Sequence, residues 1–204
     1  ATISVPANVS ILYEGGDIIN GTLNFAEGGI IGGELLNSTL TVGGSNLQLK
    51  DPVFEFIPSR WGIVEGIVLE AVAINNGLII KDLIGKVELF GAKIFSIDKL
   101  DAYFHAENAY VNPISIPSNF ELRMSDQTHL RVFPTSNSWS VILIYIREVQ
   151  NVTVTGGFLH GDRDEHTGPS MPFNNSNLVV IRSSQNVKIE NAFSVDSVNY
   201  LSQD

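Results

Sequence analysis

The chain has 204 residues and a mass of 22.2 kDa, which fits one domain. Its formal net charge of −10 argues against nucleic acid and anionic membranes as partners, because phosphate binding requires a basic surface. The longest apolar run, 141–146, is far shorter than the roughly 20 residues of a membrane-spanning helix, so no membrane insertion is expected. The absence of cysteine excludes disulfides and cysteine-based zinc sites.

β-Branched residues dominate the apolar composition. The sequence contains 41 Ile and Val but only 10 Ala, and β-branched side chains favour strands whereas Ala favours helices. With 18 Gly and 18 Asn, the chain also has enough turn formers to separate many short strands. The composition therefore predicts an all-β fold.

Residues 1–50 are predicted to form a small Gly-rich β-layer. Gly accepts turn conformations that are closed to other residues, and four Gly-Gly pairs stand where strands are expected to end. No pair joins a strand to a helix N-terminus as a phosphate-binding loop requires, so we interpret all four as turns.

A helical stripe predicts one short capping α-helix at about 59–76. Apolar pairs recur every four residues at 63/64, 67/68 and 71/72, after Ser59 as a candidate N-cap. Asn75-Asn76-Gly77 is a stop signal. Such a helix would cover the open end of a β-solenoid, whose first strands otherwise expose an unpaired backbone edge.

A short phrase of Asn, apolar, polar and aliphatic residues occurs five times. Its alternation is typical of half-buried strands, and Asn suits the turn before each strand because it tolerates left-handed geometry. The separations are 38, 73, 32 and 35 residues, and the inserted helix accounts for the double gap. The spacing favours a solenoid over a sandwich. The phrases begin at Asn8, Asn46, Asn119, Asn151 and Asn186.

Residues 51–204 resemble the start of the pectate-lyase-like right-handed parallel β-helix superfamily, which includes polysaccharide-degrading enzymes and phage tail spikes. Trp61-Gly62 is similar to the superfamily's "WGA/FGA" motif before a capping helix, and a strand pair at 86–95 follows. The segment 114–122, Ile-Ser-Ile-Pro-Ser-Asn-Phe-Glu-Leu, is similar to its "lPsNvtL" strand. The resemblance implies a right-handed parallel β-helix at an extracellular, cell-surface or virion location.

Two departures from the superfamily leave activity open. The acidic "GDGvtDDT" box is replaced by Ile63-Val64-Glu65-Gly66, and no polygalacturonase-type catalytic set is found. The sequence ends after one further strand without a capping segment, so we expect either a longer parent chain or a homo-oligomer, a trimer by analogy with tail spikes.

The densest polar cluster, 160–168, follows a predicted strand and is expected to be a loop. Paired carboxylates beside His and Arg are typical of acid–base cleavage of sugar chains, as in a polysaccharide lyase or glycoside hydrolase. Two Asp could instead hold a hard cation such as Ca²⁺, and a turn of internal ion pairs is the structural alternative. The catalytic candidates are Asp162, Asp164, Glu165 and His166.

Residues 120–185 contain five Arg and no Lys. Arg forks bind carboxylates and sugar hydroxyls, although ordinary pairing with neighbouring acidic residues is the alternative interpretation. His129 and Arg131 are expected on the face of their strand opposite Leu130. The substrate-binding candidates are Arg123, His129, Arg131, Trp139, His160 and Arg163.

Two functions remain open at this stage. One is carbohydrate recognition within a polysaccharide-processing lyase or hydrolase. The other is a non-catalytic tail-spike, fibre or adhesin module.

Overall fold

The computed structural model describes residues 1–106, 113–134, 141–167 and 177–196, together with the backbone of 202–203. Strands predominate and one α-helix is present in these residues, which confirms the predicted all-β fold. The strands form several sheets, and every named strand pair is parallel.

The predicted N-terminal β-layer consists of two three-stranded parallel sheets, with strand orders β1-β3-β5 and β2-β4-β6. Asn8, Gly28 and Asn46 lie two residues before β2, β4 and β6, and all three are left-handed, with φ of 59°, 57° and 56°. The 38-residue separation in the sequence therefore contains two structural steps, because Gly28 replaces Asn in the middle turn. The six strands are β1 (Thr2–Val5), β2 (Ser10–Ile11), β3 (Gly21–Phe25), β4 (Ile30–Ile31), β5 (Leu40–Gly44) and β6 (Gln48–Leu49).

The helix α1 spans Glu70–Leu89, so the predicted bounds of 59–76 are wrong at both ends. Ser59 lies in a single 3-10 turn, Pro58–Arg60. Gly62 and Gly66 then adopt left-handed φ angles of 75° and 76°, which interrupt any helix before Glu70. The predicted strand pair at 86–95 is also wrong, since its first four residues form the last turn of α1.

Asn76 explains why the predicted stop signal does not end the helix. Its side chain is fully buried, and its amide donates to the carbonyls of Val64 at 2.9 Å and Tyr103 at 3.1 Å. Its Oδ1 accepts from the Val64 N–H at 3.1 Å. These tertiary hydrogen bonds satisfy the polar groups of the buried amide. Asn76 is therefore tolerated inside the helix, although its helix propensity is low. No helix of the described residues is long and apolar enough to span a membrane.

A seven-stranded sheet carries the central part of the chain. It has the order β15-β12-β10-β13-β16, with β8 on the other side of β10 and β7 beside β8. A four-stranded sheet has the order β17-β14-β11-β9. The strands are β7 (Val53–Phe56), β8 (Ile94–Phe104), β9 (Ile114–Ser115), β10 (Phe120–Val132), β11 (Ile142–Arg147), β12 (Gln150–Thr155), β13 (Phe158–His160), β14 (Asn177–Arg182), β15 (Gln185–Glu190), β16 (Phe193–Val195) and β17 (Ser202–Gln203).

Asn119, Asn151 and Asn186 form a ladder of side chains before β10, β12 and β15. Their φ angles are 57°, 56° and 53°, which confirms left-handed Asn turns at the predicted strand starts. The Asn151 amide donates to Asn119 Oδ1 at 2.8 Å across 32 residues. The Asn186 amide donates to Asn151 Oδ1 at 3.0 Å across 35 residues. Equivalent turns are therefore hydrogen-bonded to one another.

The long strand β10 bends between Met124 and Gln127, where its register with β8 shifts. On its other side, β12 pairs with the first half of β10 and β13 with the second half. Gly156 and Gly157 connect β12 to β13 at this bend, with φ of 74° and 76°. A Cβ on Gly156 would lie 2.0 Å from the Met124 carbonyl oxygen, so only Gly fits there.

The close approach at Gly156 predicts a large stability loss for Gly156→Ala. We expect the free energy of unfolding to fall by about 2–4 kcal/mol, from left-handed strain and the backbone clash together. Gly85→Ala is the control, because Gly85 is in α1 with nothing within 4 Å of the added Cβ. It should raise stability by about 0.5–1 kcal/mol. Urea unfolding of both variants measures the difference, and equal effects would contradict it.

Two substitutions at Asn151 separate backbone strain from side-chain bonding. Asn151→Gly loses the two ladder hydrogen bonds, about 1 kcal/mol each at most, and costs a further ~0.5–1 kcal/mol of backbone entropy. Asn151→Ala loses the same bonds and adds about 1–2 kcal/mol of left-handed strain. Urea unfolding should therefore rank wild type above Gly and Gly above Ala. An Ala variant more stable than the Gly variant would show that the left-handed strain is smaller than the entropy cost of Gly, and would contradict the prediction.

Candidate functional site

The registers of β8, β10 and β13 bring polar side chains together on one face of the sheet. On β10, Leu130 is fully buried, and His129 and Arg131 lie on the opposite face as the strand alternation predicts. β8 places Asp101 beside His129. β13 places His160 beside Arg131.

Arg131 is held at two points by this arrangement. Its Nε and Nη2 donate to the two oxygens of Asp101 at 2.5 and 3.1 Å, a bidentate pair. Its Nη1 donates to His160 Nδ1 at 3.3 Å. Because Arg can only donate, His160 Nδ1 is the acceptor, and its proton is therefore on Nε2. That Nε2 donates to His129 Nδ1 at 2.8 Å. The result is a continuous chain of hydrogen bonds from Asp101 to His129.

The contacts along this series of hydrogen bonds determine the protonation states of Asp101 and His160. The hydrogen bond from Arg131 holds the pKa of Asp101 below its usual value, so this carboxylate is ionised at neutral pH. Burial, reinforced by the Arg131 charge, lowers the pKa of His160 to about 4. His160 is therefore neutral at physiological pH and accepts from Arg131 without repulsion.

An aromatic stack continues the same face across neighbouring strands. The ring of His129 stacks on Phe158 at 4.9 Å with an interplanar angle of 12°. Phe158 in turn stacks on Phe193 at 5.1 Å and 19°. Stacked rings on β10, β13 and β16 reinforce the register that aligns the polar groups.

A small cleft of about 80 Å³, here called the Arg131 cleft, opens beside these residues. Among the described residues, four carboxylates and one guanidinium line it, so this part of its wall is predominantly negative. Burial, with the nearby Glu165 charge, raises the pKa of Tyr103 above its usual value, so its hydroxyl remains a donor. The charged and polar lining consists of Tyr103, Arg131, His160, Asp162, Asp164, Glu165 and Asp196.

The loop after β13 combines a buried carboxylate with surface ion pairs. Asp162 is 3% exposed and pairs with Nδ1 of His166 at 3.1 Å. Arg163 pairs with Asp164 at 2.9 Å and with Asp196 at 3.1 Å. The predicted turn of internal ion pairs is thus present, and the same turn forms one wall of the Arg131 cleft.

The structure separates the remaining candidates from this cleft. Arg123 forms a bidentate pair with Glu121, at 2.9 Å for each bond. It lines a different cleft of about 370 Å³, together with Trp61. Trp139 lies outside the described residues. Arg147 also pairs with a neighbour, Glu148, at 2.9 Å, so the alternative of ordinary carboxylate pairing holds for several of the arginines.

The alternative of a Ca²⁺ site at Asp162 and Asp164 has no ligand cluster in the described part of the chain. Within those residues, no group of three or more His, Asp or Glu side chains is arranged to hold a metal ion. Asp162 instead pairs with His166, and Asp164 with Arg163.

Sequence reasoning missed Asp101, Tyr103 and Asp196 as members of the site. The alternation of β8 carries a signal for the first two, because both face away from the buried Ala102. Because the sequence pattern predicts a strand pair at 86–95, the alternation over 94–104 was not considered. Asp196 directly follows β16, and its carbonyl accepts from the Arg163 N–H at 3.1 Å, a contact visible only once the register is known.

The charge of Arg131 should control the titration of His160. In Arg131→Gln, the pKa of His160 is expected to rise from about 4 towards its usual value, because the Arg131 charge, which lowers it second only to burial, is removed. NMR titration of the histidine ring protons measures this shift. Arg147→Gln is the control, since that ion pair lies on another sheet. An unchanged His160 titration in Arg131→Gln would contradict the proposed electrostatics.

The same pKa predicts an acid-dependent loss of stability. Between the ordinary value of 6.5 and about 4, the unfolded chain binds a proton that folded His160 does not. Stability is therefore complete above pH 6.5 and is lost as the pH falls through that window. His160→Gln should reduce this loss, measured as the change in urea midpoint between pH 7 and pH 4.5. A midpoint change equal to that of wild type would contradict the prediction.

Comparison with known proteins gives one short match. The chain is 39% identical over 54 residues to "Uncharacterized protein YclG" of Bacillus subtilis (strain 168). The match covers 26% of this chain and 9% of that protein, so the chain spans a small fraction of its relative's length. No protein-family model matches the chain, and no solved structure matches it.

Proposed function

We propose that this chain forms coils of a right-handed parallel β-helix and binds a neutral, hydroxyl-rich polysaccharide in the Arg131 cleft. The observation that carries the proposal is the alignment of Asp101, Arg131 and His160 from three adjacent parallel strands beside a cleft lined by carboxylates.

The repeated parallel pairing supports the β-helix. Asn119, Asn151 and Asn186 bond to one another across 32 and 35 residues, as equivalent turns of successive coils would. Parallel strands of one sheet also require crossover connections, and these are right-handed in nearly all proteins.

The charges of the cleft favour a neutral ligand over an acidic one. Among the described residues, four carboxylates and the Arg131 guanidinium line the cleft, and Arg131 is already paired with Asp101. Arg163 pairs with Asp164 and Asp196 and offsets part of this charge, but acidic groups still outnumber the two arginines. A sugar acid would therefore meet net repulsion. Sugar hydroxyls, in contrast, donate to carboxylates in charge-assisted hydrogen bonds. Asp101 and His160 engage three of the five Arg131 N–H groups, which leaves two for hydroxyl oxygens.

A second candidate function, cleavage of the bound chain, is favoured by the pair of Asp162 and His166. Asp162 lines the cleft, whereas His166 does not and its Nε2 is buried. In a cleavage reaction Asp162 would therefore be the group that meets the ligand, and His166 would position its carboxylate through Nδ1. A lyase or glycoside hydrolase would use this pair, whereas a tail spike, fibre or adhesin would recognise the polysaccharide without it.

Binding is tested on an array of neutral and acidic polysaccharides. Wild type should bind neutral members, and Glu165→Gln should weaken binding about tenfold, because one charge-assisted bond is lost. Glu14→Gln is the matched control, since Glu14 is an exposed carboxylate outside the cleft. Binding of acidic members alone, or equal loss in both variants, would refute the proposal.

Cleavage is tested on the same polysaccharides by assaying reducing ends and unsaturated products. If the chain is catalytic, wild type and the control Glu14→Gln should both form product, and Asp162→Asn should form none. Binding without product would assign the chain to the non-catalytic class.

A further inference from the structure

We propose that the Arg131 cleft continues into an apolar subsite, which receives an apolar substituent of the saccharide. The methyl group of a 6-deoxy sugar and an O-acetyl group share the required chemistry. This inference rests on the proposed function and names the class of polysaccharide.

The subsite is a second cavity of about 250 Å³ that shares a wall with the cleft. Tyr103 and Glu165 line both. The other described residues that line it are apolar, and they come from the segment before α1 and from the end of β10: Ile67, Val68, Phe133 and Pro134. A ligand lying along this face would therefore pass from a carboxylate-rich region to an apolar one at Tyr103.

Ile67 is almost fully exposed, so its side chain contributes little to the hydrophobic core. Its exposed fraction is 94%, although Ile63, four residues earlier, is buried. Single exposed apolar side chains are common, but this one forms the wall of a cavity next to the cleft.

The backbone holds Ile67 at that position. The Gly66 N–H donates to the Asp101 carbonyl at 2.9 Å, and Gly66 forms an isolated parallel bridge to Ala102. Asn76 secures both the N–H and the carbonyl of Val64. The segment is thus tied to β8, the same strand that supplies Asp101 to the cleft, and cleft and subsite form one preorganised surface.

The chemistry of the two regions defines the substituent. Hydroxyl groups in the apolar subsite would lose their hydrogen bonds to water, whereas methyl groups would gain from burial. Replacing a hydroxyl with a methyl or acetyl group at the facing position of the sugar should therefore strengthen binding.

The test compares pairs of oligosaccharides on the array. One set differs only by CH₃ against CH₂OH at C6, and the other only by O-acetyl against free hydroxyl. Wild type should prefer the substituted member of one set by about tenfold, in the range that one apolar group contributes in a pocket. The set that shows the preference identifies the substituent.

Ile67→Ser should abolish this preference while leaving binding of the unsubstituted members unchanged. Leu69→Ser is the matched control, because Leu69 is 77% exposed and two residues away but does not line the subsite. Circular dichroism checks that both variants keep the wild-type strand content.

The outcomes distinguish the two proposals. Equal binding of both members of every pair would overturn the subsite and leave polysaccharide recognition intact. An array without any binding would overturn both. If Ile67→Ser changes only the mass measured by light scattering, the surface instead contacts a second copy of the chain, and the subsite is refuted.

Discussion

The left-handed Asn turns before β10, β12 and β15 are the constraint on which the candidate site depends. Asn119 and Asn151 are bonded to each other, so β10 and β12 start at the same level of the sheet. A slip of one residue would reverse the two faces of a strand and move Arg131 into the core. The Gly156 turn then allows β13 to follow the bend of β10, so that His160 meets Arg131. Side chains far apart in sequence thereby acquire defined neighbours.

Arg131 connects this scaffold to the chemistry of the cleft. It is half-buried between Asp101, which neutralises its charge, and His160, which remains neutral because burial and Arg131 disfavour its protonation. The side chain therefore has one orientation, and its remaining N–H groups have fixed directions. In a chain with a net charge of −10, a paired arginine acts as a positioned hydrogen-bond donor more than as a source of positive potential.

The sequence predicted the all-β class and the turn chemistry, because both depend on local residue types. Asn119, Asn151 and Asn186 are left-handed as the repeat predicts. The bounds of α1 were missed because they depend on tertiary contacts: buried Asn76 is bonded to Val64 and Tyr103, partners 12 and 27 residues away. The step at Gly28 was missed for a different reason, since Gly adopts the same backbone conformation as Asn without carrying the repeat's side chain.

A cluster of polar residues that are close in the sequence reveals only part of a site that is built from several parallel strands. Within 160–168, the sequence displays Asp162, Asp164 and Glu165, and a turn of internal ion pairs accounts for part of that cluster. The groups that define the cleft come from strands about 30 residues apart, since Arg131 bonds Asp101 across 30 residues and His160 across 29. These steps differ from the 35 residues between Asn151 and Asn186, because connections of different length separate the strands. Turn residues therefore identify which strands are neighbours, whereas the length of each connection decides which outward side chains meet.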